Sequence, residues 1–369
     1  MRGATWILAA AATASCFAID SVSDVSSQAQ APAVSISDAP SRFQLTRNWS
    51  IGPDAISGGY VHRCHSISDV DGVRELAVQV EIDWNAARVC VLSGASGSVL
   101  YTLECPAERH FNCTVGYALR QLDDLDGDGV DDFAVGDPSL HPWDGQMGPY
   151  SVLFVSARTG SLLHSVVERE AHGYGISLLA SQDLDGDGLG DLLVRSWQGP
   201  NSVIDALSSK SGARIWRTRA ADSFGYASPL LLLGDDVNGD GIREFIDLTF
   251  EACAADAPVA AYSGASGASI GVDAAEMHSW RARAVGPLHA NSDIDGDGAR
   301  DFVRVPYEHG GSVEWTDPSP DAEARASGSA GTTSGELLFV HDFDQDGVAD
   351  FVFANGRGVA VEMWNAHKR

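Results

Sequence analysis

The stretch DLDGDGVDD, Asp124 to Asp132, puts carboxylates at its first, third, fifth and ninth positions, with glycines between them. Four carboxylates converging on one turn repel one another unless a cation sits among them. Alternating oxygen ligands, glycines for the sharp turn and a terminal acid suit a hard divalent ion, Ca²⁺ above all. In this reading Asp124, Asp126 and Asp128 are ligands, the Val130 carbonyl is another, and Asp132 is the closing carboxylate. The pattern returns four times. The corresponding sets are Asp183, Asp185, Asp187, Leu189 (carbonyl) and Asp191; then Asp236, Asn238, Asp240, Ile242 (carbonyl) and Glu244. The last two are Asp293, Asp295, Asp297, Ala299 (carbonyl) and Asp301, and Asp342, Asp344, Asp346, Val348 (carbonyl) and Asp350.

An EF-hand would need a bidentate Glu at position twelve. Here that position holds Val135, Val194, Asp247, Arg304 and Phe353, and the flanks read as strands. The bland alternative is a set of acidic Asp-Gly turns that only close hairpins. A shortened relative, DVDGVRE from Asp69 to Glu75, is two residues short and is expected to hold no metal.

The full loops begin at 124, 183, 236, 293 and 342, so successive starts lie 59, 53, 57 and 49 residues apart. A period of that length marks a repeat architecture. Each unit runs strand, acid loop, short apolar strand, variable connection, strand, tight turn, strand. RVCVLSGASGSVLYTL and YSVLFVSARTGSLLHSV show the last hairpin, with Gly and Ser at the turn. Four antiparallel strands per unit, radially repeated, predict an all-β protein: a β-propeller of about six four-stranded blades, with seven the alternative count. The final unit stops after its third strand, GVAVEMWN, and the N-terminal RFQLTRNWS has no unit of its own. Pairing the two would close the ring and remove two strand edges.

The chain resembles the FG-GAP/VCBS repeat family, the repeats of the integrin α-subunit propeller. FGYASPLLLLGDDVNGDGIREF (224–245) carries an FG, a strand and a cation loop, and VGDP (135–138) stands at the GAP position. VGY (115–117) and YGI (174–176) are weaker echoes of FG. The resemblance covers about 44–369. It implies a propeller with Ca²⁺ loops on one face and ligand binding on the other.

Bulk properties agree with export. MRGATWILAAAATASCFA reads as a signal peptide at 1–18, followed by a Ser/Ala-rich leader at 19–42 and the propeller at 43–369. A rival reading makes Cys16 a lipid-anchored cysteine. No later run is apolar for long enough to span a bilayer. The net charge of −27 argues against nucleic acid as a partner, and five occupied loops would move it to about −17. Of Cys64, Cys90, Cys105, Cys113 and Cys253, the best disulfide candidate is Cys105–Cys113.

Connections between second and third strands must emerge opposite the acid loops. They carry Trp84, Trp143, Trp197, Phe250 and Tyr307, candidate contacts for a protein or glycan; packing between blades is the competing role. Catalytic signals are weak. GASIG around Ser269 matches a hydrolase elbow but lies at the hairpin turn, and strand alternation separates His65 from His62 and Cys64. The expectation is a secreted or cell-surface, non-enzymatic, Ca²⁺-stabilised binding or adhesion module. A polysaccharide lyase or hydrolase on the same scaffold and a purely structural envelope protein are the alternatives.

Overall fold

Phe133–Asp137, FAVGD, is buried at every position, whereas Leu162–Glu168, LLHSVVE, is only partly covered. A strand apolar on both faces needs cover on both faces. That requirement makes sheets stack face to face, with the half-polar strands left at the rim.

The computed structural model describes residues 43–52, 56, 59–70, 73–83, 86–104, 114–138, 150–198, 201–219, 230–248 and 260–271. Beyond these it describes the strands at 288–292, 301–304, 313–316, 326–328, 336–341, 350–355 and 360–368. The expected signal peptide at 1–18 and leader at 19–42 lie outside the described residues. Strand β1 is Phe43–Ile51. The first sheet is β2 (Tyr60–Asp69), β3 (Arg74–Asp83), β4 (Ala86–Leu92) and β5 (Val99–Leu103). The second is β6 (Ala118–Gln121), β7 (Phe133–Asp137), β8 (Tyr150–Val155) and β9 (Leu162–Glu168). The third is β10 (His172–Ala180), β11 (Leu192–Gln198), β12 (Asn201–Leu207) and β13 (Arg214–Arg219). The fourth is β14 (Leu230–Leu233), β15 (Phe245–Leu248), β16 (Ala260–Tyr262) and β17 (Ser269–Ile270). The fifth is β18 (Leu288–Ser292), β19 (Asp301–Arg304), β20 (Val313–Thr316) and β21 (Ala326–Gly328). The last comprises β22 (Glu336–His341), β23 (Asp350–Asn355) and β24 (Ala360–Lys368), with β1 as its fourth strand.

Every sheet is an antiparallel meander of four strands, so the fold is all-β and propeller-like. The N-terminal segment fills the place the sequence leaves open: β1 pairs antiparallel with β24, Phe43 opposite Lys368 and Ile51 opposite Val361. First strands of neighbouring sheets lie together, β2 against β6 and β22, β10 against β6 and β14, β18 against β22. Most of the described core lies between sheets. Ile67, Val89 and Val91 from the first pack on Leu119, Phe133 and Val135 from the second. Tyr150, Val152 and Phe154 of the second pack on Leu178, Leu192 and Val194 of the third.

Two devices bring the sheets close. Gly175, at a φ of 88°, passes against the backbone of Gly136 in the preceding sheet, and a Cβ built on Gly136 would overlap the Gly175 carbonyl. Gly175 is the glycine of YGI, and Gly116, that of VGY, has the same left-handed φ against Val89. Gly136→Ala is therefore expected to destabilise by about 1–3 kcal/mol in a denaturant melt, because backbone rather than a flexible side chain would have to move.

The second device was not legible as a motif. An aromatic ring on the outermost strand of one sheet covers a glycine in the outer hairpin turn of the next: Tyr101 over Gly160, His164 over Gly212, Trp216 over Gly267. The turns themselves are alike. In each, Ser93, Ser156, Ser208 or Ser263 accepts from the glycine four residues on, at 2.7–2.8 Å.

Candidate metal centres

Each described acid loop joins the first and second strands of its sheet. In 124–132, glycines 127 and 129 take φ values of 81° and 86°, which lets the chain turn around the Asp124 carboxylate. Asp124 Oδ1 accepts from the N–H of Gly127 (2.7 Å) and Asp128 (3.1 Å), and Oδ2 from Gly129 (2.8 Å). Asp126 Oδ1 accepts from Asp128 N–H at 3.1 Å, and Asp128 Oδ1 from Val130 N–H at 2.9 Å. The loop at 183–191 repeats this bond for bond, with Asp183 holding Gly186 (2.7 Å), Asp187 (3.2 Å) and Gly188 (2.9 Å). The loop at 236–244 keeps four of the five bonds: Asp236 accepts from Gly239 (2.7 Å) and Gly241 (2.9 Å), Asp240 from Ile242 (2.8 Å), and Asn238 Oδ1, in the third position, takes the Asp240 N–H at 2.8 Å.

The result is convergence. One carboxylate oxygen from each of Asp124, Asp126 and Asp128 lies within 4.8 Å of the other two, and Asp183, Asp185 and Asp187 do the same. Ligands held around one Ca²⁺ at about 2.3–2.6 Å stand at most about 5 Å apart, so this all-oxygen donor set fits that ion. The Gly129 N–H, then those of Gly127 and neighbours, holds the Asp124 carboxyl below the usual range; Gly188 and Gly186 do so for Asp183. Both are thus fully charged at neutral pH. Asn238 gives the third loop the same fold with one charge fewer.

The closing acids do something the sequence reading did not assign. Asp132 is fully buried, its Oδ2 accepting from Leu125 N–H at 2.8 Å and its Oδ1 from Ala157 N–H at 3.0 Å. Asp191 makes the same two bonds, to Leu184 (2.6 Å) and Ser209 (3.2 Å). Each closing acid therefore ties its loop to the outer hairpin turn of the same sheet. Burial pushes both carboxyls up, Asp191 to about 6. Glu244 binds Val237 N–H at 2.8 Å, and Glu75 of the shortened loop binds Val70 N–H at 2.8 Å. The shortened loop thus keeps the bond within the loop. Where the closing acid is Glu, the turn residue is Gly94 or Gly264, and a Cβ there would overlap the carbonyl of Arg74 or Arg243.

Two roles imply two outcomes. Asp124→Asn should weaken cation binding and cost the metal-free melt less than Asp132→Asn, because the N–H groups it leaves are exposed to water. Asp132→Asn should lower the melt with or without metal, by about 1–3 kcal/mol, since one of two buried N–H groups loses a charged acceptor. Paired calorimetric titrations and melts of both variants check this.

Neighbouring loops are also joined. Asp123 Oδ2 accepts from Gly190 N–H at 2.6 Å, and Gln182 bridges to Arg243 N–H (2.7 Å) and the Gly241 carbonyl (3.2 Å). Arg74 donates to Gln121 at 2.9 Å. From the outer turn, Arg158 reaches Asp128 Oδ2 at 3.1 Å. Between the loops at 124–132 and 183–191 lies a cleft of about 190 Å³ lined by Gln121, Leu122, Asp123, Asp131, Ala180, Ser181 and Gly190. None of these residues stood out by type or spacing. The weak signal they offered was a polar residue immediately before the first Asp of each loop.

Several expectations fall outside the described residues: the ligands Asp293, Asp295, Asp297, Ala299, Asp342, Asp344, Asp346 and Val348, the aromatics Trp84, Trp143, Phe250 and Tyr307, and the Cys16 and Cys105–Cys113 readings. Asp301 and Asp350 begin β19 and β23, at the ends of their loops. Trp197 corrects one expectation. It lies inside β11, opposite Ser202 and His172, and not in the connection after it. The residue is 9 % exposed, with Gly173 beneath its ring and the Arg195 guanidinium 5.6 Å from the ring centre. Strand β11 continues through Gln198 because its backbone still has β12 to bond. Cys64 and Cys90 are buried free thiols on either side of Val78, and no helix of the described residues is long and apolar enough to cross a membrane.

No protein-family model matches the sequence, and no curated protein matches it, so the FG-GAP/VCBS resemblance rests on its motifs alone. Among solved structures, the chain is similar to Bacillus licheniformis rhamnogalacturonan lyase PL11 at 11 % identity and a TM-score of 0.48, over 82 % of this chain and 71 % of that one. It is similar to the exotype rhamnogalacturonan lyase YesX at 12 % identity and 0.47, over 90 % and 74 %. The Dos1 propeller follows at 11 % and 0.35, over 79 % and 65 %. At such identities and TM-scores these likenesses carry no conclusion about what this chain does.

Proposed function

We propose that the protein is a secreted or cell-surface Ca²⁺-stabilised propeller of six blades, closed by β1 on β24, that acts as a binding module for an extracellular protein or glycan. The observation that carries the reading is the gathering of three carboxylate oxygens in each of two successive loops. Ca²⁺ bound there would supply positive charge. The chain's own residues hold the loops open for it through backbone bonds to Asp124 and Asp183, and anchor them through Asp132 and Asp191.

Isothermal titration with Ca²⁺, followed by a glycan and matrix-protein array in Ca²⁺ and in chelator, tests both halves. Retention on the array that disappears in chelator supports a binding module. Release of unsaturated or hydrolysed oligosaccharide from the same glycans would replace it with the lyase or hydrolase reading. Heat of Ca²⁺ binding no greater than that of a variant carrying Asp124→Asn and Asp183→Asn would overturn the metal assignment.

A further inference from the structure

Three successive sheet junctions share one lock, a ring over a turn glycine, and the middle one differs. Tyr101 Oη donates to the Ala157 carbonyl at 2.7 Å, and Trp216 Nε1 donates to the Gly264 carbonyl at 3.1 Å. At the junction of the second and third sheets the ring is His164, stacked on Phe154 with centroids 4.2 Å apart and facing the Gly212 turn. Its Nε2 is buried and meets no hydrogen-bond partner.

We infer that His164 makes the junction between the second and third sheets an acid-sensitive seam, opened by protonation of the imidazole. The imidazolium carries N–H on both nitrogens, so charging the ring puts a donor on Nε2 where no acceptor stands. A buried charged donor without a partner is costly, and the folded junction resists it.

The surroundings offer no compensating charge. Strand β8 presents Phe154, β9 presents Val166, and the turn presents Gly212. Lys210 of that turn is exposed. Glu168 on β9 and Asp205 on β12 are paired with Arg217 on β13, at 2.8 and 2.6 Å, and Arg214 stands 3.7 Å from Asp205. Asp187 reaches the turn only through the Ser208 hydroxyl, at 3.5 Å. Burial alone acts on the ring, and it lowers the pKa from 6.5. The sign follows. Above that ordinary value the ring is neutral folded or unfolded. As pH falls below it the unfolded chain takes up the proton first, so stability is lost down to the folded value. Asp191, pushed up to about 6 by burial, works in the opposite direction and is common to wild type and variants.

The test compares wild type with His164→Phe, which keeps a ring on Phe154, and with His164→Tyr, which restores the donor of the neighbouring junctions. From about pH 7 to about pH 5 the wild type should lose about 2–4 °C more in Tm than either variant. Equal slopes in all three would overturn the inference. Should the variants not fold, NMR titration of His164 in the wild type decides: a midpoint below 6.5 supports the seam and one at or above it removes it. Hydrogen exchange localises the opening. Protection of the Ser208 amide, bonded to Ala213, should fall at low pH relative to that of Ser263, bonded to Ala268 at the Trp216 lock, and a constant ratio would count against the seam.

Discussion

Without divalent cations the protein should melt about 10 °C lower than in millimolar Ca²⁺. The cause is repulsion. Asp124, Asp126 and Asp128 hold carboxylate oxygens within 4.8 Å of one another, and Asp183, Asp185 and Asp187 repeat the arrangement. Backbone N–H groups keep Asp124 and Asp183 ionised, so protonation does not relieve the crowding at neutral pH. An ion that binds the folded loop and not the unfolded chain stabilises by mass action. At ten times the dissociation constant each site contributes about 1.4 kcal/mol, and five such loops about 7 kcal/mol. The joined loops should transmit the loss, since the Asp123–Gly190 and Gln182–Arg243 bonds cross sheet boundaries. Calorimetric melts in Ca²⁺, in chelator and in chelator followed by excess Ca²⁺ measure it. A melt insensitive to all three would remove calcium from the account.

The second large effect concerns a buried ion pair. Arg195 of β11 and Asp247 of β15 lie 2.8 Å apart across the third and fourth sheets, their side chains 0 % and 4 % exposed. The Ser202 hydroxyl donates to the other Asp247 oxygen at 3.0 Å. Burial lowers the Arg195 pKa and raises that of Asp247, in each case outweighing their mutual attraction. Both shifts point toward neutral forms, the sign of a pair that desolvation has made expensive. Arg195→Met alone should then cost about 3–5 kcal/mol, because it leaves the Asp247 carboxylate buried with only a hydroxyl. Arg195→Met with Asp247→Leu should recover most of that loss, and denaturant melts of the single and double variants give the coupling directly. A single variant as stable as the wild type would show that water reaches Asp247.

Much of this was legible before any coordinates. The acid loops repeat with fixed spacing, and fixed spacing in a turn sets local backbone geometry, so the alternating carboxylates and the glycines at 127 and 129 could be read directly. The four-strand unit and the pairing of RFQLTRNWS with the last unit followed from counting strands. Trp197 was misplaced because an aromatic near Gly and Pro looks like a loop residue, and only the register with β12 shows it to be strand. The backbone ties of the closing acids stayed hidden because their position in the loop is the same whether they face an ion, a backbone N–H or both.

What the amino-acid order determined by itself is local: the loops, the turns and the strand alternation, all governed by neighbours a few residues away. What only the tertiary structure decided is how one unit meets the next. Asp123 binding Gly190, Arg195 facing Asp247 and His164 covering Gly212 join residues 48 to 67 positions apart. Those partners are set by how closely the sheets can stack, and stacking distance depends on side-chain volumes from two units at once, which no single stretch of chain contains.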